Sequence, residues 1–207
     1  MNKKIIITIG REFCSGGMEI GKKLAEKLGI DFYDKELISL AAKKSGFIEN
    51  IFENADEKPT NSFLYSIAMG VPSATGMLIQ NSDFLTNDKL FSIQSEVIKN
   101  IAEKGSCVLI GRCSNYILRE EKDILSIYLH ANMDFRIKRL LEVEKKDINP
   151  KDAESFINKT DKKRANYYRY YTGNEWNVAT NYDLCLDTSK LGIEKTVEQI
   201  YNYIQNI

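Results

Sequence analysis

The sequence predicts an α/β fold in three layers, a five-stranded parallel sheet with helices on both faces. Three observations predict it. Short apolar runs rich in β-branched residues recur along the chain, and they do not alternate polar with apolar, as strands buried on both faces require. Segments with apolar residues at helical spacing separate these runs, the pattern of β-α-β units. The apolar fraction of 43% and charged fraction of 28% over 207 residues are those of one ordinary globular domain.

The elements follow in order. Lys4 to Ile9 is the first strand. From Gly16 onward Ile20, Leu24 and Leu28 mark a helix, and Gly29 is placed to stop it. Asp31 to Tyr33 is a short second strand, and Asp34 is a candidate N-cap for a helix carrying Leu37, Ile38 and Leu40. A helical insert is expected over 46–104, with a turn at VPSATG and a firm helix carrying Leu90, Phe91, Val97, Ile98 and Ile101. Cys107 to Arg112 and Ile124 to Ala131 are the third and fourth strands. A helical segment over 145–176 comes next, then a fifth strand from Tyr182 to Ser189. Ile193, Val197, Ile200 and Ile204 mark a closing amphipathic helix.

Charge and cysteine usage exclude several classes of function. Lys plus Arg equals 29 and so does Asp plus Glu, which lacks the basic excess of a general nucleic-acid binder. No apolar run approaches the roughly 20 residues that cross a bilayer, and MNKKIIITIG has too short an apolar stretch for a signal peptide, so a cytoplasmic protein is expected. Cys14, Cys107, Cys113 and Cys185 form no Cys-x-x-Cys pair, and His130 stands alone, so no metal site is expected and the thiols read as small apolar residues.

Parallel sheets bind ligands beyond the carboxyl ends of their strands. Four loops meet there. GREFCSGG joins the first strand to its helix; its glycines admit an anion close to the backbone, and the helix start offers N–H groups with a positive dipole. Gly10, Arg11, Ser15, Gly16, Gly17 and Met18 are therefore the candidate phosphate- and nucleotide-binding residues, with a purely structural turn as the alternative. Asp34 at the second loop and Arg112 at the third are candidates for a second ligand. The fourth loop, KTDKKRANYYRYY, sets five bases against the single acid Asp161 among four tyrosines. Lys163, Arg164 and Arg169 suit a lid that neutralises charge during phosphoryl transfer, or else a solvated helix with its tyrosines packed on the body.

In the stretches ITIGREFCSGGMEIGKKLAEKLGIDFYDKELI, VLIGRCSNYIL, TDKKRANYYRYYTG and NYDLCLDTSKLGIEKTVEQI the chain resembles the cytidylate kinase-like family of nucleoside monophosphate kinases. That resemblance implies a P-loop kinase fold, ATP with Mg²⁺ as donor, and a nucleoside monophosphate as acceptor. It also implies an acceptor-binding insert over 46–104, a lid over 145–176 and small-molecule nucleotides as partners, with no nucleic acid or membrane and the oligomeric state open. The working pattern G-x-x-x-x-G-K-[ST] is altered, however: Gly17 stands in the lysine slot, Met18 in the hydroxyl slot, and Glu19 follows. Arg112 keeps one acceptor-binding residue of cytidylate kinases, whereas Cys113 replaces the aspartate after it and Leu40 falls near a missing arginine. The alternative is a nucleotide sensor or scaffold with a degenerate loop. Cys113 as a nucleophile, His130 as a base and Asp187 as an adenine-side contact are weaker candidates than their structural roles.

Overall fold

The computed structural model describes residues 4–34, 82–144 and 148–207. Five strands, β1 (Ile6–Arg11), β2 (Asp31–Tyr33), β3 (Cys107–Ile110), β4 (Ile124–His130) and β5 (Leu184–Asp187), form one sheet in the order β2-β3-β1-β4-β5. Every neighbouring pair is parallel, with Ile6 opposite Cys107 on one side and Ile124 on the other. The helices are α1 (Gly17–Leu28), α2 (Ser82–Lys104), α3 (Ser114–Ile117), α4 (Met133–Glu142), α5 (Ala153–Thr172) and α6 (Thr188–Gln205). The expected helix after Asp34 and the span 46–81 of the expected insert lie outside the described residues.

Why β1 shows no polar alternation is now visible. Successive side chains point to opposite faces, and both faces are covered. Ile7 and Ile9 join Ile20 and Leu24 of α1 and Val197, Ile200 and Ile204 of α6 in one core. Ile6 points the other way, into a second core with Ile93, Val97, Ile98 and Ile101 of α2 and Leu109 of β3. The final helix of the expected insert is thus a layer of the body. Gly21 lets α1 lie close to the sheet, because a Cβ there would come within 2.6 Å of Ile110 Cδ1.

Several strand ends differ from the sequence reading, three of them for a visible reason. β1 runs on to Arg11, because Gly10 and Arg11 continue the ladder opposite Tyr128 and Leu129. β3 stops at Ile110, because Gly111, Arg112 and Cys113 all take positive φ, 70°, 56° and 56°. β5 begins only at Leu184: the Asp183 carboxylate accepts from the Ser126 N–H and hydroxyl, both at 2.7 Å. Asp187 then caps α6 by accepting from the Ser189 N–H at 2.9 Å; the Ser189 hydroxyl, which also donates to it, is the main cause of its lowered carboxyl pKa.

The cysteines divide in a testable way. Cys14, Cys107 and Cys113 are buried, while Cys185 on β5 is exposed, against the expectation that all four serve as packed apolar residues. Burial pushes the Cys14 thiol up to about 12 and Cys107 to about 11. At pH 8 only about one Cys14 molecule in ten thousand carries a thiolate. In a thiol titration of the native protein, one equivalent should react promptly and the remainder only on unfolding. Prompt reaction of two or more equivalents would contradict this burial.

Candidate active site

The turn between β1 and α1 is held by its own backbone and by α6. Ser15 directs both its N–H and its hydroxyl to the Glu12 carbonyl, at 3.3 and 2.9 Å. The fully buried Thr188 donates to the Ser15 carbonyl at 2.7 Å and to that of His130 at 3.1 Å. Gly16 has φ 85°, and a Cβ there would stand 2.3 Å from Ile193 Cδ1; one on Gly17 would stand 2.7 Å from Arg11 Cβ. Only glycine fits this pair. The N–H groups of Gly17, Met18 and Glu19 have no hydrogen-bond partner among the described residues, as the first turn of any helix leaves them. Met18 is 46% exposed.

Arginines surround this turn. The Arg11 side chain crosses to β3, where a Cβ on Gly111 would come within 2.2 Å of its Nη1. Arg112 follows, buried and in the left-handed region with Cys113. Two consecutive non-glycine residues there cost about 1–2 kcal/mol each, and such strain is held where a side chain must be aimed. From α5, Arg164 donates to the Arg11 carbonyl at 3.2 Å and lies over the Phe13 ring at 5.3 Å. Arg11, Arg112 and Arg164 line one cleft together with Gly10, Asn115 and Tyr168. It offers about 30 Å³ to water-sized guests, room for roughly two waters. A nucleoside needs more room than this.

What fastens α5 is a buried ionic cluster absent from the sequence reading. Arg136 of α4, 5% exposed in its side chain, pairs with Glu12 at 3.3 Å and with Asp161 of α5. Its Nε donates to the Phe13 carbonyl at 2.8 Å, and Asp161 accepts the Phe13 N–H at 2.7 Å. Glu12 also accepts the Ala131 N–H at 3.0 Å. On the next turn of α4, Arg139 pairs with Glu19 at 3.0 Å, so the acid that follows the lysine and hydroxyl slots is neutralised within the protein. Two signals could have found this: Asp161 is the one acid in a basic stretch, and Arg136 and Arg139 share a helical face at i, i+3.

The other sequence candidates sit elsewhere. Lys163 is exposed, and Arg169 pairs with Glu175 at 2.5 Å on the outer surface. Asp34 follows β2, two strands from β1. Tyr171 stacks on Phe91 of α2 at 3.9 Å, and Tyr168 joins Cys113, Tyr128 and Trp176 in an aromatic cluster, so these tyrosines of α5 pack on the body. Cys113 is part of that packing. Among the described residues no helix is long and apolar enough to cross a membrane, and no group of three or more His, Cys, Asp or Glu could hold a metal.

A model of the cytidylate kinase-like family matches residues 6–190. The chain belongs to the cytidylate kinase-like family. A cytidylate kinase from Staphylothermus marinus is 33% identical over 117 residues, which is 55% of this chain and 64% of that protein. The chain thus spans less than two thirds of that relative. A crystal structure of an uncharacterized protein from Eubacterium ventriosum aligns over 99% of this chain and 100% of its own, with TM-score 0.73 and 28% identity. A shikimate kinase from Bacteroides thetaiotaomicron aligns over 98% and 99% with TM-score 0.55 and 13% identity. One from Acinetobacter baumannii, in complex with shikimate, aligns over 99% and 94% with TM-score 0.53 and 13% identity. The last two establish the kinase-like three-layer α/β/α fold and nothing about substrate.

Proposed function

We propose that this member of the family moves a phosphoryl group from ATP to a nucleoside monophosphate, with cytidine monophosphate the first acceptor to test. The observation that carries the reading is the convergence of Arg11, Arg112 and Arg164 on one cleft beside the glycine turn, whose helix-start amides stand open. Fixed cations and aligned N–H groups at a charge-dense centre are the main resource of phosphoryl-transfer sites.

Two features of the turn support its reading as the site of the donor's phosphates. A side chain on Gly16 or Gly17 would collide with Ile193 or Arg11, and the amides of residues 17–19 remain available to oxygen acceptors. The main chain from Gly10 to Met18 would hold the donor. ATP supplies the transferable phosphoryl group when bound. Arg112, with Asp34 at the neighbouring loop, would orient the acceptor, and Arg164 would neutralise charge shed between the two. Lys163 and Arg169, being exposed, stand behind Arg164 in this role. The residues do not fit a protein-held Mg²⁺: Met18 offers no oxygen in the hydroxyl position. The ion would arrive on the nucleotide's own oxygens and water. Nucleotides as partners and free thiols both suit the cytoplasm.

The test is ADP release from ATP and Mg²⁺ with CMP, dCMP, UMP, AMP and GMP offered singly. One acceptor should stimulate release at least tenfold over ATP alone. No stimulation by any of them would overturn the kinase reading. The fastened α5 favours a second reading, a sensor that binds nucleotide without turnover. That reading requires thermal stabilisation by nucleotide in a protein that forms no product.

A further inference from the structure

We infer that Arg139 of α4 supplies the cation that the missing loop lysine would have given, and that Glu19 holds it in reserve until a polyphosphate arrives. The inference rests on the reading of the glycine turn as the donor site.

Four observations place Arg139 there. Its guanidinium packs directly on the turn: a Cβ on Gly16 would lie 3.6 Å from its Cζ and 3.7 Å from its Nε. Its side chain is only 14% exposed, so it stands in a partly water-excluded corner where a charge acts strongly. Its Nε is buried and has no hydrogen-bond partner among the described residues, leaving a donor unused beside the amides of residues 17–19. Its Nη2 pairs with Glu19, which is 41% exposed and sits in the first turn of α1.

The neighbouring arginines are committed elsewhere. Arg136 is held between two carboxylates, and the Arg11 side chain runs to Gly111 on the acceptor side. Arg139 alone in this set meets the turn at Gly16.

The pair with Glu19 is exchangeable. Lys23, which also pairs with Glu194, lies 3.7 Å from Glu19, one helical turn on, and would keep that carboxylate when Arg139 turns to the ligand. A carboxylate exposed to water competes weakly against the several charges of a triphosphate. The result is a loop that is self-neutralised when empty and cationic when loaded. The lysine of an ordinary loop is thereby replaced from a different helix, which explains how Glu19 can follow the glycines without repelling the donor.

Calorimetric binding of inorganic tripolyphosphate and of ATP to the full chain tests this without recourse to turnover. Loss of one charge-assisted contact lowers affinity about 10–100-fold, so Arg139→Ala and Arg139→Gln should both bind tripolyphosphate that much more weakly. Arg139→Lys should retain most of the affinity, and Glu19→Gln should bind several-fold more tightly than wild type. If Ala proves unfolded, the Gln variant, which keeps a polar side chain in the same corner, decides the matter. Wild-type affinity in a folded Arg139→Gln protein overturns the inference and leaves the donor-site reading standing. Absence of tripolyphosphate and ATP binding in the wild-type protein overturns both.

Discussion

Arg136→Ala should lower the melting temperature by about 6–20 °C. The arginine is nearly inaccessible to water, and its removal leaves Glu12 and Asp161 facing the space it filled. Breaking a buried pair by deleting one partner costs about 3–5 kcal/mol, because the remaining charge stays buried and uncompensated. Here two partly buried carboxylates remain, each keeping one backbone N–H, and the Phe13 carbonyl also loses its donor. For a domain of this size each kcal/mol moves the midpoint by about 2–4 °C. A partial rescue distinguishes lost charge balance from lost packing. Arg136→Met combined with Glu12→Gln and Asp161→Asn should recover much of the stability, since neutral groups of similar volume leave no buried charge. A drop of under 2 °C in the alanine variant, measured by calorimetry, would mean that the cluster does not hold α5 to the turn.

How much of this could be read from sequence follows from the range over which each interaction acts. β1, α1 and the closing helix were legible because burial on both faces, period 3.6 and Gly29 at the helix end are local signals. The glycine turn was legible as a turn, because Gly16 at φ 85° leaves no other residue comfortable. Its electrostatics were not. Glu19 looked repulsive until Arg139, 120 residues away, was seen to neutralise it. Asp161 looked like a lone exception in a basic stretch, whereas it ties α5 to Phe13, 148 residues away. Pairings at such separations leave no periodic mark. Arg169 and Arg164 are indistinguishable by composition; only the phase of α5 turns one to the cleft and the other to Glu175.

Arg112→Ala and Arg164→Ala should each reduce phosphoryl transfer by about 100–1000-fold, the range for deleting one preorganised charge stabiliser. The two should differ in character. Arg112 is buried at a strained corner fixed by Gly111 and Cys113, so its loss should weaken acceptor binding as well as turnover. Arg112→Lys should not restore the rate, because an ammonium cannot offer the paired donors that a phosphate accepts. Arg164 reaches the cleft from α5, donating to the Arg11 carbonyl and lying over the Phe13 ring. Its loss should fall mainly on kcat, with KM for the acceptor little changed. Arg169→Ala is the control on the same helix. Its partner Glu175 is half exposed, and the pair lies on the outer surface, where such contacts contribute little. It should retain nearly full activity. If Arg169→Ala and Arg164→Ala were equally impaired, the charge of the helix as a whole would matter and its direction would not. If both Arg112 and Arg164 variants kept wild-type rates while folded, the three-arginine cleft would not be where the phosphoryl group moves. Binding at the glycine turn would then have to serve a purpose other than transfer.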